Sequence, residues 1–182
     1  MRKPFVSFLT LTVLLLTLAA CGRGGGGAST QTKGQYPGTE EGLRKLMGEI
    51  VADGANAAKQ SQKLRPTAED YAVVFEGDFA KEAEKTYEEL WKKGQLVLRT
   101  KPGQTEMKLV SVTSEDLKTK TPKSLEFPGG WLKTAPHLKP GLTVYLVRFA
   151  EPGKEHGLRI DGLIYVNGRW RIFPKPWRVR QP

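Results

Sequence analysis

The chain has 182 residues, 29 Lys and Arg against 19 Asp and Glu, and a formal net charge of +10. A single cysteine excludes an intramolecular disulfide and a cysteine metal cluster, and the length suits one hydrophobic core better than two. No Gly-x-Ser-x-Gly, P-loop or dinucleotide fingerprint is present, so the motif-borne hydrolase and nucleotide chemistries have no foothold.

Arg2 and Lys3 give a positive start, and Phe5 to Leu18 is almost wholly apolar. At 14 residues this run is too short for the roughly 20 that span a bilayer as a helix, and it leads into small residues, as a signal peptide does. It ends Leu18-Ala19-Ala20-Cys21, which resembles the lipobox of bacterial lipoproteins at all four positions. The resemblance implies a signal peptide over 1–20, cleavage before Cys21, diacylglycerol on the Cys21 thiol and, in many bacteria, a further acyl chain on its amine. Two or more chains hold a protein stably on a membrane where one is marginal. It also implies a cell-envelope location, at the outer membrane if the host is Gram-negative, since Gly22 and not an aspartate follows the cysteine.

Residues 21–38 are rich in Gly, Ser, Thr and Gln, without apolar periodicity, and read as a tether. A flexible coil of that length has an end-to-end distance of about 20–25 Å. The globular domain is expected over 39–182.

Leu43, Leu46, Met47 and Ile50 recur at the spacing of one helix face behind Thr39, which predicts a helix over 40–63. Pro66 closes it. Thr67 and Asp70 have the spacing of a capping box, opening a short helix through Val74. A third helix is expected from Asp78 as N-cap to a stop at Gly94, with Phe79, Ala83, Tyr87, Leu90 and Trp91 on its apolar stripe. Glu88 and Lys92, and Glu89 and Lys93, sit at i,i+4 in the favourable order.

After Gly94 the period changes. Residues 96–100, 106–113, 142–150 and 158–166 are rich in β-branched and aromatic side chains and read as strands. Helices first and strands afterwards argue for an α+β fold, one domain with N-terminal helices packed on one face of a curved, mainly antiparallel sheet. Asn167-Gly168 between two apolar runs predicts a type I′ hairpin. Its register sets Val166 opposite Arg169, Tyr165 opposite Trp170, Ile164 opposite Arg171 and Leu163 opposite Ile172. One side, Leu163, Tyr165, Trp170 and Ile172, is then expected to meet the helices; the other, Ile164, Val166, Arg169 and Arg171, to meet solvent or a partner.

Amphipathic helices ahead of a sheet that finishes in the hairpin Asp161 to Ile172 resemble the nuclear-transport-factor-two-like, or ketosteroid-isomerase-like, superfamily over about residues 39–178. The resemblance implies a cone-like domain whose mouth serves some members as an enzyme pocket and others as a binding or assembly surface. Fold does not decide between these. An isomerase- or dehydratase-like enzyme would use an acid in the cone; the candidates are Asp161, His156 and His137, each equally readable as a rim or loop residue. Two histidines with no cysteine partner argue against a zinc site, and no cofactor is expected.

Charge is unevenly placed. Residues 40–116 hold 12 basic against 15 acidic side chains, and residues 117–182 hold 13 against 4, so the basicity belongs to the strand half. At the tail, Arg169, Arg171, Lys175, Arg178 and Arg180 interleave with Trp170, Phe173 and Trp177. Such a pattern suits anionic lipid, anionic glycan or an acidic protein, and less readily nucleic acid for an exported chain; it is equally the pattern of a solvated basic face. The loop from Phe127 through Trp131 to Gly141 is long for a compact domain and reads either as a lid over the cone or as a packed cover on a sheet edge. The candidate ligand-binding set is therefore Trp131, His156, Asp161, Tyr165, Arg171, Lys175, Trp177 and Arg178, on a membrane-anchored binding or envelope-structural domain.

Overall fold

Thr39 accepts the Gly42 amide, and the apolar spacing behind it forms helix α1, Glu40–Ala52, which buries Leu43, Leu46, Met47 and Ile50. This is the first element of a computed structural model that describes residues 31–180; the lipobox, Cys21 and the first part of the expected tether lie outside the described residues. The helix does not run to residue 63. Asp53 leaves the helical region with ψ 63, then caps a short 3₁₀ turn by accepting from Asn56, and α2, Ala57–Ser61, follows with a second 3₁₀ turn over Gln62–Leu64. Asp53-Gly54 is a breaker pair, and it ends α1 although the residues beyond could have continued it.

Helix α3, Ala68–Val74, opens on the expected capping box, with the Thr67 and Asp70 side chains each accepting the other's amide. Helix α4, Gly77–Lys92, buries Phe79, Ala83, Tyr87 and Trp91, with Leu90 half-buried, and ends before Gly94. Its cap position is Glu76, without a side-chain cap bond. Asp78 lies in the first turn instead, where it pairs with Lys81 at 3.3 Å and its charge suits the helix start. The Glu88–Lys92 and Glu89–Lys93 pairs are present at 3.5 and 4.0 Å.

The architecture is α+β: N-terminal helices and an open, four-stranded antiparallel meander in the order β1-β2-β3-β4. The strands are β1, Glu106–Thr113; β2, Thr143–Ala150; β3, Gly157–Val166; and β4, Arg169–Ile172. The hairpin has the register derived above at all four pairs, and Asn167 and Gly168 both take positive φ, 50° and 75°, as a type I′ turn requires. Residues 96–100 form no strand. They keep the alternation of one, with Leu96 and Leu98 half-buried and Val97 and Arg99 outward, but the Leu98 amide donates to Ser61 Oγ and no ladder forms.

Both faces of the sheet are covered, which corrects the one-sided expectation. Tyr145, Leu163, Tyr165 and Trp170 face the segment 36–38, where Trp170 Nε1 donates to the Pro37 carbonyl. On the other face Ile164, Val166 and Arg171 are buried under α3, because Arg171 Nε reaches the buried Asp70 carboxylate at 2.8 Å. Asn167 Nδ2 donates to the other Asp70 oxygen, and the Tyr71 and Phe75 rings pack edge-on against Phe173. Asp70 thus caps α3 and fixes it to the hairpin with one side chain.

The connection between β1 and β2 carries α5, Ser114–Thr119, a 3₁₀ turn over Pro122–Glu126, α6, Gly130–Thr134, and a 3₁₀ turn over Ala135–His137. Of the two readings of the 127–141 loop, the packed cover fits. Phe127, Trp131 and Leu138 are buried, and Leu138 makes an isolated bridge with Phe75. The end of the expected tether is also part of the fold. Tyr36 is buried, and the Gln31 carboxamide pairs with both the amide and the carbonyl of Trp170 while also donating to the Lys63 carbonyl. Packing therefore begins by Gln31, eight residues before the expected boundary at Thr39.

Candidate functional site

The site grows from an irregularity in β3. Tyr145 pairs with Leu163 but Leu146 with Asp161, so Gly162 is an extra residue on β3. Its φ is 85°, and a Cβ there would lie 2.4 Å from the Phe173 carbonyl and 2.9 Å from the Trp131 ring, so only glycine fits this bulge. The bulge sets Asp161 beside α6, where Trp131 Nε1 donates to its Oδ1 at 2.9 Å. Trp131 is fully buried and meets the half-buried Trp177 edge-on at 6.3 Å, and Trp177 in turn lies on Gly130, where a Cβ would overlap its ring.

β4 stops at Ile172 for a chemical reason. Phe173 still donates its amide to the Gly162 carbonyl, but Pro174 has no amide to offer, Lys175 turns to φ 50° and Pro176 follows. The Lys175 carbonyl accepts from Tyr87 Oη at 2.7 Å, which ties the turn to α4. Residues 157–161 of β3 are consequently paired on the β2 side alone; among the described residues no hydrogen bond reaches their backbone from the other side.

Along that open edge lies a depression of about 150 Å³ lined by Val97, Leu98, Arg99, residues 158–161, Ile172, Pro174 and Lys175. Four consecutive strand residues point to alternate faces, so all four can line one depression only if it runs along the strand's edge. A second depression of about 120 Å³, floored by Trp91 and Leu96, shares Val97, Leu98, Ile172 and Pro174 with the first, and together they form one open groove between the segment 95–99 and the sheet. Its walls are apolar. Its rim carries Arg99, Arg159 and Lys175, all exposed, and among the described residues none of the three has a carboxylate within 4.0 Å of its nitrogens. Burial raises the Asp161 carboxyl above the ordinary aspartate range, with Trp131, Arg159 and Lys175 opposing that rise.

Of the sequence-derived candidates, the structure brings together Trp131, Asp161, Lys175 and Trp177, with Arg178 close enough to oppose the burial-driven rise of the Tyr87 hydroxyl. Trp131 supports Asp161 from beneath and is not exposed. The other three are elsewhere. His156 is exposed in the β2–β3 loop, Tyr165 lies on Gly38 and against Trp170 on the opposite part of the sheet, and Arg171 is buried in its ion pair. The expected positive patch of five tail cations is broken up: Arg171 is neutralised by Asp70, Arg180 binds Glu82 through two bonds, and Arg169 donates to the Gln31 carbonyl. Lys175 and Arg178 remain exposed and, among the described residues, without a carboxylate partner. His137 stacks on Phe79 at 4.4 Å, away from Asp161.

Sequence reasoning missed Arg99 and Arg159, which sit 60 residues apart and meet only because residues 96–100 lie beside β3 without joining it. The Pro174-Lys175-Pro176 stop was the one legible sign that β3 would outrun its partner. A larger cleft of about 380 Å³, where the turn Gln62–Leu64 and the start of α3 face α4, offers less, since both of its arginines are already paired: Arg65 holds Glu88 through both oxygens at 2.6 Å, and Arg171 holds Asp70. Among the described residues no group of three His, Cys, Asp or Glu could hold a metal ion, and no helix is long and apolar enough to cross a membrane. Set against protein-family models, curated proteins and solved structures, the chain matches none of them, and its function is read from the groove.

Proposed function

We propose that the chain is a lipid-anchored binding module of the cell envelope, held on a membrane through Cys21 and recognising an anionic ligand in the groove beside Asp161. The observation that carries the reading is the set of three uncompensated cations, Arg99, Arg159 and Lys175, around an apolar slot. The buried Arg171 is paired with the buried Asp70, whereas these three cations stand next to apolar side chains without a carboxylate partner among the described residues, which fits a surface that waits for negative charge. The alternative of an enzyme working in a cone-shaped pocket gains less support, because Trp131 and Trp170 are fully buried in the hydrophobic core.

The test compares the full chain with an Arg99→Gln, Arg159→Gln, Lys175→Gln variant, both in neutral lipid nanodiscs, titrated with dodecanoate, oligoglutamate and a phosphate-bearing glycan polymer at low and physiological salt. Exposed charge pairs contribute about 0.2–1 kcal/mol each, so the variant should bind at least one probe about 3- to 150-fold more weakly and lose most of the salt dependence. Equal binding by parent and variant for every probe would remove the groove from the reading. In the same preparation, Cys21→Ser should abolish lipid labelling and release the chain from the membrane fraction; retention of both would remove the anchor.

A further inference from the structure

Resting on the reading that the groove receives negative charge, we infer that its occupant is an acidic, extended polypeptide segment that adds to the open edge of β3 as a fifth strand. Three observations converge on this. The backbone of residues 157–161 is unpaired on the groove side, and a row of unmet amides and carbonyls is what an added strand satisfies. The chain's own candidate for that position, residues 96–100, alternates in and out like a strand yet stands off from β3, with the depression between them. The slot thus has a strand edge on one side and an extended apolar segment on the other, and its two depressions, each of a side chain's dimensions, adjoin across Val97 and Leu98.

Charge selects the sequence of the occupant. Natural edge strands are commonly blunted by charge, and Arg159 and Lys175 do that here against a basic or neutral strand, as they repel or desolvate without recompense. An acidic strand turns the same residues from a guard into a contact. Alternation of the added strand then points one row of its side chains to Arg99, Arg159 and Lys175 and the other into the apolar depressions lined by Leu98, Ile160 and Ile172. Asp161 is the one acid in the slot. Its burial-raised carboxyl, held by Trp131, opposes the occupant's charge least when protonated.

An amphiphile would use the cations and the apolar walls but not the strand edge, and this separates the two occupants. The probes are an acetylated, amidated eight-residue peptide alternating glutamate with valine and threonine, the same peptide N-methylated at alternate backbone nitrogens, its lysine-for-glutamate counterpart, and dodecanoate. Each is added to the full chain in neutral nanodiscs, with amide hydrogen exchange as the readout. The acidic peptide should slow exchange at alternate amides of residues 157–161 about tenfold or more. The N-methylated and lysine peptides should not, and an Arg159→Glu, Lys175→Glu variant should accept the lysine peptide in place of the acidic one. Equal protection by the N-methylated peptide, or protection at residues remote from β3, would overturn strand addition. If dodecanoate binds in a manner sensitive to Arg99, Arg159 and Lys175 while no peptide protects residues 157–161, strand addition falls and the anionic-ligand reading stands. If no probe distinguishes the parent from the three-Gln variant, both fall.

Discussion

Arg171→Met tests the construction that places the site, because Arg171 joins the hairpin to α3. The Arg171 and Asp70 side chains are 3% and 2% exposed, and the substitution leaves a buried carboxylate without its counter-charge. Breaking a buried pair from one side costs about 3–5 kcal/mol. Asp70 would keep the Thr67 amide and the Asn167 carboxamide, so the low end, about 3 kcal/mol, is expected. For a chain of this length that corresponds to a fall in Tm of about 6–12 °C. Urea denaturation followed by tryptophan fluorescence gives the value directly, with an unchanged m-value showing that only stability moved. Adding Asp70→Asn should return a large part of the loss, since the uncompensated charge is then gone. A loss below about 0.5 kcal/mol, the range of ordinary surface substitutions, would mean Arg171 is not buried as described and would return it to the solvent face that the hairpin alternation alone suggests.

Two further substitutions address the site. Asp161→Asn keeps an acceptor for Trp131 and removes the buried charge. The folded carboxyl holds its proton to a higher pH than the unfolded one, so the contribution of Asp161 to stability is fullest below about pH 4 and is lost as pH rises through the raised folded value. The variant should therefore melt higher than the parent at pH 7, with the gap closing below about pH 4; a gap of the same size at both pH values would contradict the burial-driven shift. Gly162→Ala forces a Cβ into a left-handed position against Phe173 and Trp131 and should destabilise by at least about 1–3 kcal/mol, with a change in the near-UV signal of Trp131. A variant as stable as the parent would remove the bulge.

Local chemistry was legible in the sequence where a motif dictates its own partner. Asn167-Gly168 gave all four hairpin pairs, and the Thr67 to Asp70 spacing gave the capping box. Thr113 and Asp116 have the same spacing and form the same box, so α5 could have been read from it. The face assignments failed for a different reason. Alternation says that Arg171 lies opposite Trp170, but not that both faces will be covered, and an arginine reads as exposed until its carboxylate, 101 residues earlier, is known to be buried beside it. Residues 31–38 show the same limit, since glutamine and tyrosine in a polar run look like linker until Gln31 meets the edge of β4. Asp161 was found because it begins the hairpin segment; Arg99 and Arg159 were not, because the groove depends on a strand that fails to form.

Amide hydrogen exchange of the free protein tests the central claim, that β3 outruns its partner and leaves a strand edge beside Asp161. Leu163 and Ile164, paired with both β2 and β4, should be strongly protected, and alternate amides within 157–161, those turned away from β2, should exchange far faster than their neighbours. Uniform protection across 157–164 would show that the edge is already occupied by the chain itself, and the groove would have no strand site to offer.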